Sequence, residues 1–184
     1  MKQFFISPCL QLKGVENMFR YVLIILFSLI ISSCVVPEEN EYESGIYYDP
    51  EFIGELRENA LDTLTIDGTQ YILEAYLWRD FMPACPPDGQ PLIAVNYLVN
   101  LDSVAVPDRF DLILQYVIME DSVWVTEYGG TAYSPAVYKI AGKSTNGPKW
   151  GPLITVDVIA RMKDSETQTD YLLKCDSVLI IRTD

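Results

Sequence analysis

The sequence predicts an all-β protein, an antiparallel β-sandwich of about seven to nine short strands, and three observations carry that prediction. Apolar residues recur with a period of two from Leu61 to the end of the chain, the spacing that lines one face of a strand. Gly, Pro, Asn and Asp punctuate these runs at short intervals, as turns between strands require. The same region holds no long run with helical apolar spacing. An eight-stranded β-barrel produces the same alternation and stays open as the alternative.

Composition limits the chemistry. The chain has 184 residues, 49% of them hydrophobic, so it holds ample material for a core and is not disordered throughout. Asp and Glu number 26 against 13 Lys and Arg, a formal net charge of −13, which argues against a nucleic-acid partner whose phosphates need cations. Histidine is absent. That removes the commonest general base and metal ligand and every Ser–His or Cys–His nucleophile. No Gly-rich loop stands between a strand and a helix, so nucleotide binding has no support either.

The elements follow in order. Residues 21–32, YVLIILFSLIIS, are uncharged and mostly Leu, Ile and Val. A spanning helix needs about 20 apolar residues, so this run has instead the length of a secretory h-region. Lys2, Lys13 and Arg20 before it, opposed only by Glu16, supply a positive n-region. Met18, just ahead of Phe19-Arg20, is an alternative start to Met1.

The tetrad Ile31-Ser32-Ser33-Cys34 then resembles the lipobox of bacterial lipoproteins: an aliphatic residue, two small residues and a cysteine. The resemblance implies a signal peptide over residues 1–33, cleavage before Cys34, and diacylglyceryl transfer to the Cys34 thiol, usually with acylation of the new amino terminus. Each buried CH₂ contributes about 0.8 kcal/mol, so two or three acyl chains anchor a protein durably without a spanning helix. Val35 stands where an aspartate commonly retains such lipoproteins in the inner membrane. The expected location is therefore the outer membrane, at the cell surface or on the periplasmic face.

Residues 34–58 are expected to form a lipidated acidic tether. Pro37 and Glu38, Glu39, Glu41 and Glu43 give it charge and little area to bury. The cluster also resembles a short surface-export signal found after the lipid cysteine in some Gram-negative bacteria; a solvated spacer is the other reading. Near the end of this stretch, Asp49-Pro50 is a cap followed by an N1 proline, predicting a short helix to Asn59 that Gly54 weakens.

A single domain is expected over residues 59–184. Ile66-Asp67-Gly68-Thr69 is a hairpin signal, because a type I′ turn needs positive φ twice, and it joins strands 61–66 and 70–79. Ile93, Val95, Tyr97, Val99 and Leu101 share one face of the next strand, with Asn96 and Asn100 on the other. Residues 111–120 and 122–127 form a pair, and 137–141 a shorter strand. Ile154, Val156, Val158, Ala160 and Met162 line one face of a late strand. Residues 171–174 and 178–182 read as one strand interrupted by a bulge at Asp176-Ser177. The arrangement resembles an immunoglobulin-like sandwich in architecture only, since the Cys…Trp…Cys spacing of antibody domains is missing.

The candidate functional residues are few. Cys85 and Cys175 remain once Cys9 is cleaved away and Cys34 is lipidated, and in an oxidising compartment they form a possible disulfide; a buried free thiol at Cys175 is the alternative. Closing so long a loop stabilises a fold by about 4 kcal/mol in the chain-entropy model. Trp150 and Lys149, in the turn-rich segment 147–152, are candidate ligand-binding residues, because sugar rings stack on aromatic faces beside polar groups. Trp150 capping the core is the competing reading, and Trp78 and Trp124, within strands, are expected in the core. Asp80, Asp88, Asp102, Asp108, Asp111, Glu120 and Asp121 gather at predicted strand ends. A facing pair performs acid–base glycosidase chemistry, whereas scattered ones are solvated turns. No calcium-loop spacing and no Ser-x-x-Lys nucleophile is present around Ser144 and Lys143, so no metal, cofactor or catalytic residue is expected.

The expected function is a non-catalytic, exported, lipid-anchored module that binds a glycan or protein partner. The alternatives are an adhesin or pilus-type subunit assembled by strand addition, and a carboxylate-based hydrolase.

Overall fold

A computed structural model describes residues 43–184 apart from 130–132 and 135. The signal segment 1–33, Cys34 and the acidic stretch as far as residue 42 lie outside the described residues. What is described is mostly β, with nine strands and one short helix.

Strand β1 (Gly45–Tyr48) leads into helix α1 (Pro50–Asn59). The helix begins where its capping signal places it: Asp49 Oδ1 accepts a hydrogen bond from the Phe52 N–H at 3.0 Å, and Pro50 occupies a position whose N–H would have no helical partner. Ile53 and Leu56 face inward and are buried. Residues 45–59 therefore belong to the folded unit, since β1 also pairs with residues 122–125.

The hairpin of β2 (Leu64–Ile66) and β3 (Thr69–Asp80) turns at Asp67 and Gly68, both with positive φ, as the Asp-Gly signal requires. Then come β4 (Leu92–Asn100), β5 (Phe110–Met119), β6 (Ser122–Glu127), β7 (Lys139–Gly147), β8 (Thr155–Asp164) and β9 (Thr169–Thr183). β7 runs later and longer than the short strand predicted over 137–141.

The nine strands form one mixed sheet, in the order β1-β6-β5-β8-β9-β3-β4-β7 with β2 alongside β3, curled into a half-barrel. An all-antiparallel arrangement is corrected at one place: residues 180–183 of β9 run parallel to residues 77–80 of β3. The cause is the length of β9. Its first part pairs with β8, and a bulge at the predicted Asp176-Ser177 then carries the strand across to β3. Ser177 takes a φ of 56° there, and its N–H is held by Asp157 Oδ1 at 3.1 Å.

Two apolar clusters result. The larger fills the inside of the curl, with Leu73, Leu77, Leu92, Leu98, Val117, Trp124, Val158, Met162, Leu173 and Ile180 all buried. The smaller lies between α1 and the outer face of β5, β6 and β8, where Ile53 and Leu56 meet Leu114, Tyr116, Ile118, Val123 and Ile159. β8 buries Val156, Val158, Ala160 and Met162 as its alternation predicts.

β4 keeps the two faces that its alternation predicts. Its interior face carries Leu92, Ala94, Asn96, Leu98 and Asn100, not the Ile93–Val99 set. Both faces of this strand are rich in apolar side chains, so periodicity identifies the two faces without choosing between them. The choice falls to Asn96, whose amide finds partners inside the curl.

Candidate functional site: the seam of the half-barrel

β7 ends the sheet order, and the curl brings it back toward β5 and β6. Among the described residues no strand ladder joins β7 to β5 or β6; the contact is made by a backbone bond, Gly129 N–H to the Lys143 carbonyl at 2.9 Å, and by two rings seated on glycines. Trp124 of β6 lies against Gly147, and Tyr128, just past β6, lies against Gly142; a Cβ at either glycine would collide with the ring. A glycine inside a strand marks such a close approach.

Beside this contact the seam stays open as a pocket of about 560 Å³, within the range of small-ligand sites. Phe110, Leu112, Tyr128 and Ile140 give it apolar walls; Asp108, Asp111, Ser134 and Lys139 add polar groups. Asp108 and Asp111 are exposed at its edge. Lys139 is committed elsewhere: its Nζ lies 2.6 Å from Glu74 Oε2, and that bond holds its pKa above the ordinary lysine value.

Behind this lining, one step further along the strands, the buried residues are neutral and polar. On β5, Gln115 is the next interior residue after Leu112, because a bulge between Leu112 and Leu114 shifts the alternation. On β7, Ser144 follows Gly142, and Asn96 of β4 stands opposite Gly142. Asn96 and Gln115 are fully buried and Ser144 nearly so. Asn96 Nδ2 donates to Gln115 Oε1 at 2.7 Å and to the Tyr128 hydroxyl at 2.8 Å. Asn96 Oδ1, Gln115 Nε2 and Ser144 Oγ have no hydrogen-bond partner among the described residues. Burial pushes the Tyr128 hydroxyl well above the ordinary tyrosine pKa, so it stays protonated.

The residues predicted as a site lie elsewhere. Trp150 is half-buried against the main core, and Lys149 is ion-paired with Asp88. Their loop is held from below by Arg79, 3% exposed, which donates to the carbonyls of Gln90 at 2.9 Å, Lys149 at 3.1 Å, Gly151 at 2.9 Å and Asp88. Lys149 in turn draws the Asp88 carboxyl below its usual pKa. Cys85 and Cys175 are both free thiols rather than a disulfide. Cys175 lies in β9 beside Ala75 in the middle of β3, whereas Cys85 sits in the loop that begins after β3 ends at Asp80. Burial raises the pKa of the Cys175 thiol.

Trp124 is buried as expected, but Trp78 is on the outer face of β3, between Ile93 and Ile181 on the neighbouring strands. Of the carboxylates at the predicted strand ends, Asp108 and Asp111 reach the pocket. Nothing in the sequence alone brings Tyr128, Asn96, Gln115 and Ser144 together; the signals it carries are a glutamine inside the run LILQYVIM and a glycine inside β7. Among the described residues no group of three or more Cys, Asp or Glu is placed to hold a metal ion, and no helix is long and apolar enough to cross a membrane.

No family model matches this chain, and neither a curated protein nor a solved structure matches it.

Proposed function

We propose that this protein is an exported lipoprotein, anchored by acyl chains on Cys34 and carried on its acidic segment at the outer membrane, whose β-body is a non-catalytic glycan-binding module. The observation that carries the binding reading is the seam pocket, which combines aromatic and aliphatic walls with polar groups around an opening of suitable size. The strong negative charge of the chain disfavours acidic sugars and favours neutral ones. The sandwich reading, immunoglobulin-like in outline, rests on β3, β4 and β7 facing β5, β6 and β8 across one core, with β9 passing between the layers.

Two measurements test this. Full-length protein in detergent, screened against neutral oligosaccharides by titration calorimetry, is expected to bind at the seam pocket; no heat of binding across the panel would contradict the binding reading. Labelled palmitate is expected to enter the wild-type protein and not Cys34→Ala, and equal labelling would contradict the anchor.

A second reading, a carboxylate hydrolase, is favoured by one observation: Asp108 and Asp111 both line the pocket. Their exposure weighs against it, since a general acid keeps its proton through burial or a like charge. Glycan turnover abolished by Asp108→Asn or Asp111→Asn would establish it over the binding reading.

A further inference from the structure

The two side-chain amides behind Tyr128 form an incomplete pair. Asn96 and Gln115 are joined by one hydrogen bond, and the second Asn96 donor goes to Tyr128, which leaves one acceptor and one donor, Asn96 Oδ1 and Gln115 Nε2, buried without partners among the described residues. Turning both amides over exchanges the atoms but still leaves one donor and one acceptor. Ser144 Oγ adds a third group able to do either. Buried polar groups without partners are uncommon in folded proteins, and each left unpaired costs about 1–3 kcal/mol. Two in one hydrogen-bonded pair and a third on the neighbouring strand lie behind Tyr128 and Gly142, which line the pocket, and leave hydrogen-bonding capacity for a ligand.

The chemistry of that ligand follows from the groups. No charged side chain belongs to the cluster, so the complement is neutral. It must offer an N–H to the free carbonyl and an oxygen to the free amide, which is the pattern of a secondary amide. We propose that Asn96, Gln115 and Ser144 recognise the acetamido group of an N-acetylated amino sugar, admitted when the Tyr128 ring turns out of its notch at Gly142. This rests on the glycan-binding reading of the seam and names the sugar class it takes. The walls at Phe110 and Leu112 then face the sugar ring, and Tyr128 acts as the gate between pocket and amide pair.

The test compares two disaccharides that differ in this group, N,N′-diacetylchitobiose and cellobiose, by titration calorimetry on full-length protein in detergent. Chitobiose is expected to bind at least tenfold more tightly. A site built to hydrogen-bond a polar group discriminates strongly against an analogue lacking it. Gln115→Leu and Ser144→Ala are each expected to reduce that ratio severalfold. Tyr128→Phe keeps the ring but not the hydroxyl held by Asn96, and is expected to preserve the preference. A purely structural polar cluster would instead move the melting temperature and leave the ratio unchanged in both variants, which overturns the inference. Equal binding of the two sugars also overturns it while leaving the seam reading intact. Failure of every glycan to bind overturns both. N-acetylglycine amide competing as well as chitobiose would assign the pair to peptides and overturn the sugar class.

Discussion

Arg79 is the side chain on which one end of the molecule depends. It is buried, and its guanidinium is spent on four backbone carbonyls from the 88–90 and 149–151 loops. Hydrogen bonds from a charged donor are individually strong, and its removal leaves buried acceptors exposed to no compensating group. Arg79→Met is expected to lower unfolding free energy by about 3 kcal/mol, read as a shift of the urea midpoint with unchanged slope. A midpoint unchanged within error would contradict that role. Trp150 inherits its position from this anchor: of the two readings its loop offers, a platform and a cap on the core, its packing fits the cap, braced by Arg79 seventy residues away. The cysteines make a second residue-scale prediction. Alkylation under denaturing but non-reducing conditions, followed by peptide mapping, is expected to modify both Cys85 and Cys175; recovery of a linked peptide pair would contradict the free thiols.

At the scale of elements, glycines separate packing from propensity. Gly142 and Gly147 of β7 receive the rings of Tyr128 and Trp124, whereas Gly54 of α1 has nothing within 4 Å of an added Cβ. Gly142→Ala and Gly147→Ala are therefore expected to cost about 1–3 kcal/mol through overpacking. Gly54→Ala is expected to stabilise the protein by about 0.5–1 kcal/mol through helix propensity. Thermal melts of the three variants check the signs, and a destabilised Gly54→Ala would contradict the packing of α1. The same contrast explains what was legible beforehand. The α1 cap, the Asp67-Gly68 turn, the β5–β6 pair and the β9 bulge are local features, written in adjacent residues, and each is found where the sequence places it. The interior face of β4, the outward Trp78 and the parallel β3–β9 pair are decided by partners far away in sequence. The seam cluster belongs with these, because Gln115 of β5 and Tyr128 reach Asn96 of β4 only when the sheet curls.

For the whole molecule, burial of ionisable groups sets the response to pH. Tyr71, Tyr128 and Cys175 all have raised pKa values, with burial the largest cause in each. Each keeps its proton longer folded than unfolded, so the folded state holds more protons once the pH passes the ordinary values of about 8.5 for cysteine and 10 for tyrosine. Stability is thus full below that range and is lost as the pH climbs through it. On the acid side, Asp88 and Asp184 titrate lower than usual through Lys149 and Arg182, so their contribution is present at neutral pH and fades on acidification; both are solvent-exposed, and this loss is small. Urea midpoints are expected to fall from about pH 8.5 to 11, and a flat profile across that interval would contradict the burial of these groups.

The central functional claim is that ligand enters the open seam rather than the Trp150 loop. Amide chemical-shift mapping of the full-length protein with N,N′-diacetylchitobiose tests it most directly. The largest changes are expected at residues 110–115, 128 and 139–144, with residues 147–153 nearly still. Changes centred on Trp150 and Lys149, with the seam unmoved, would contradict the account.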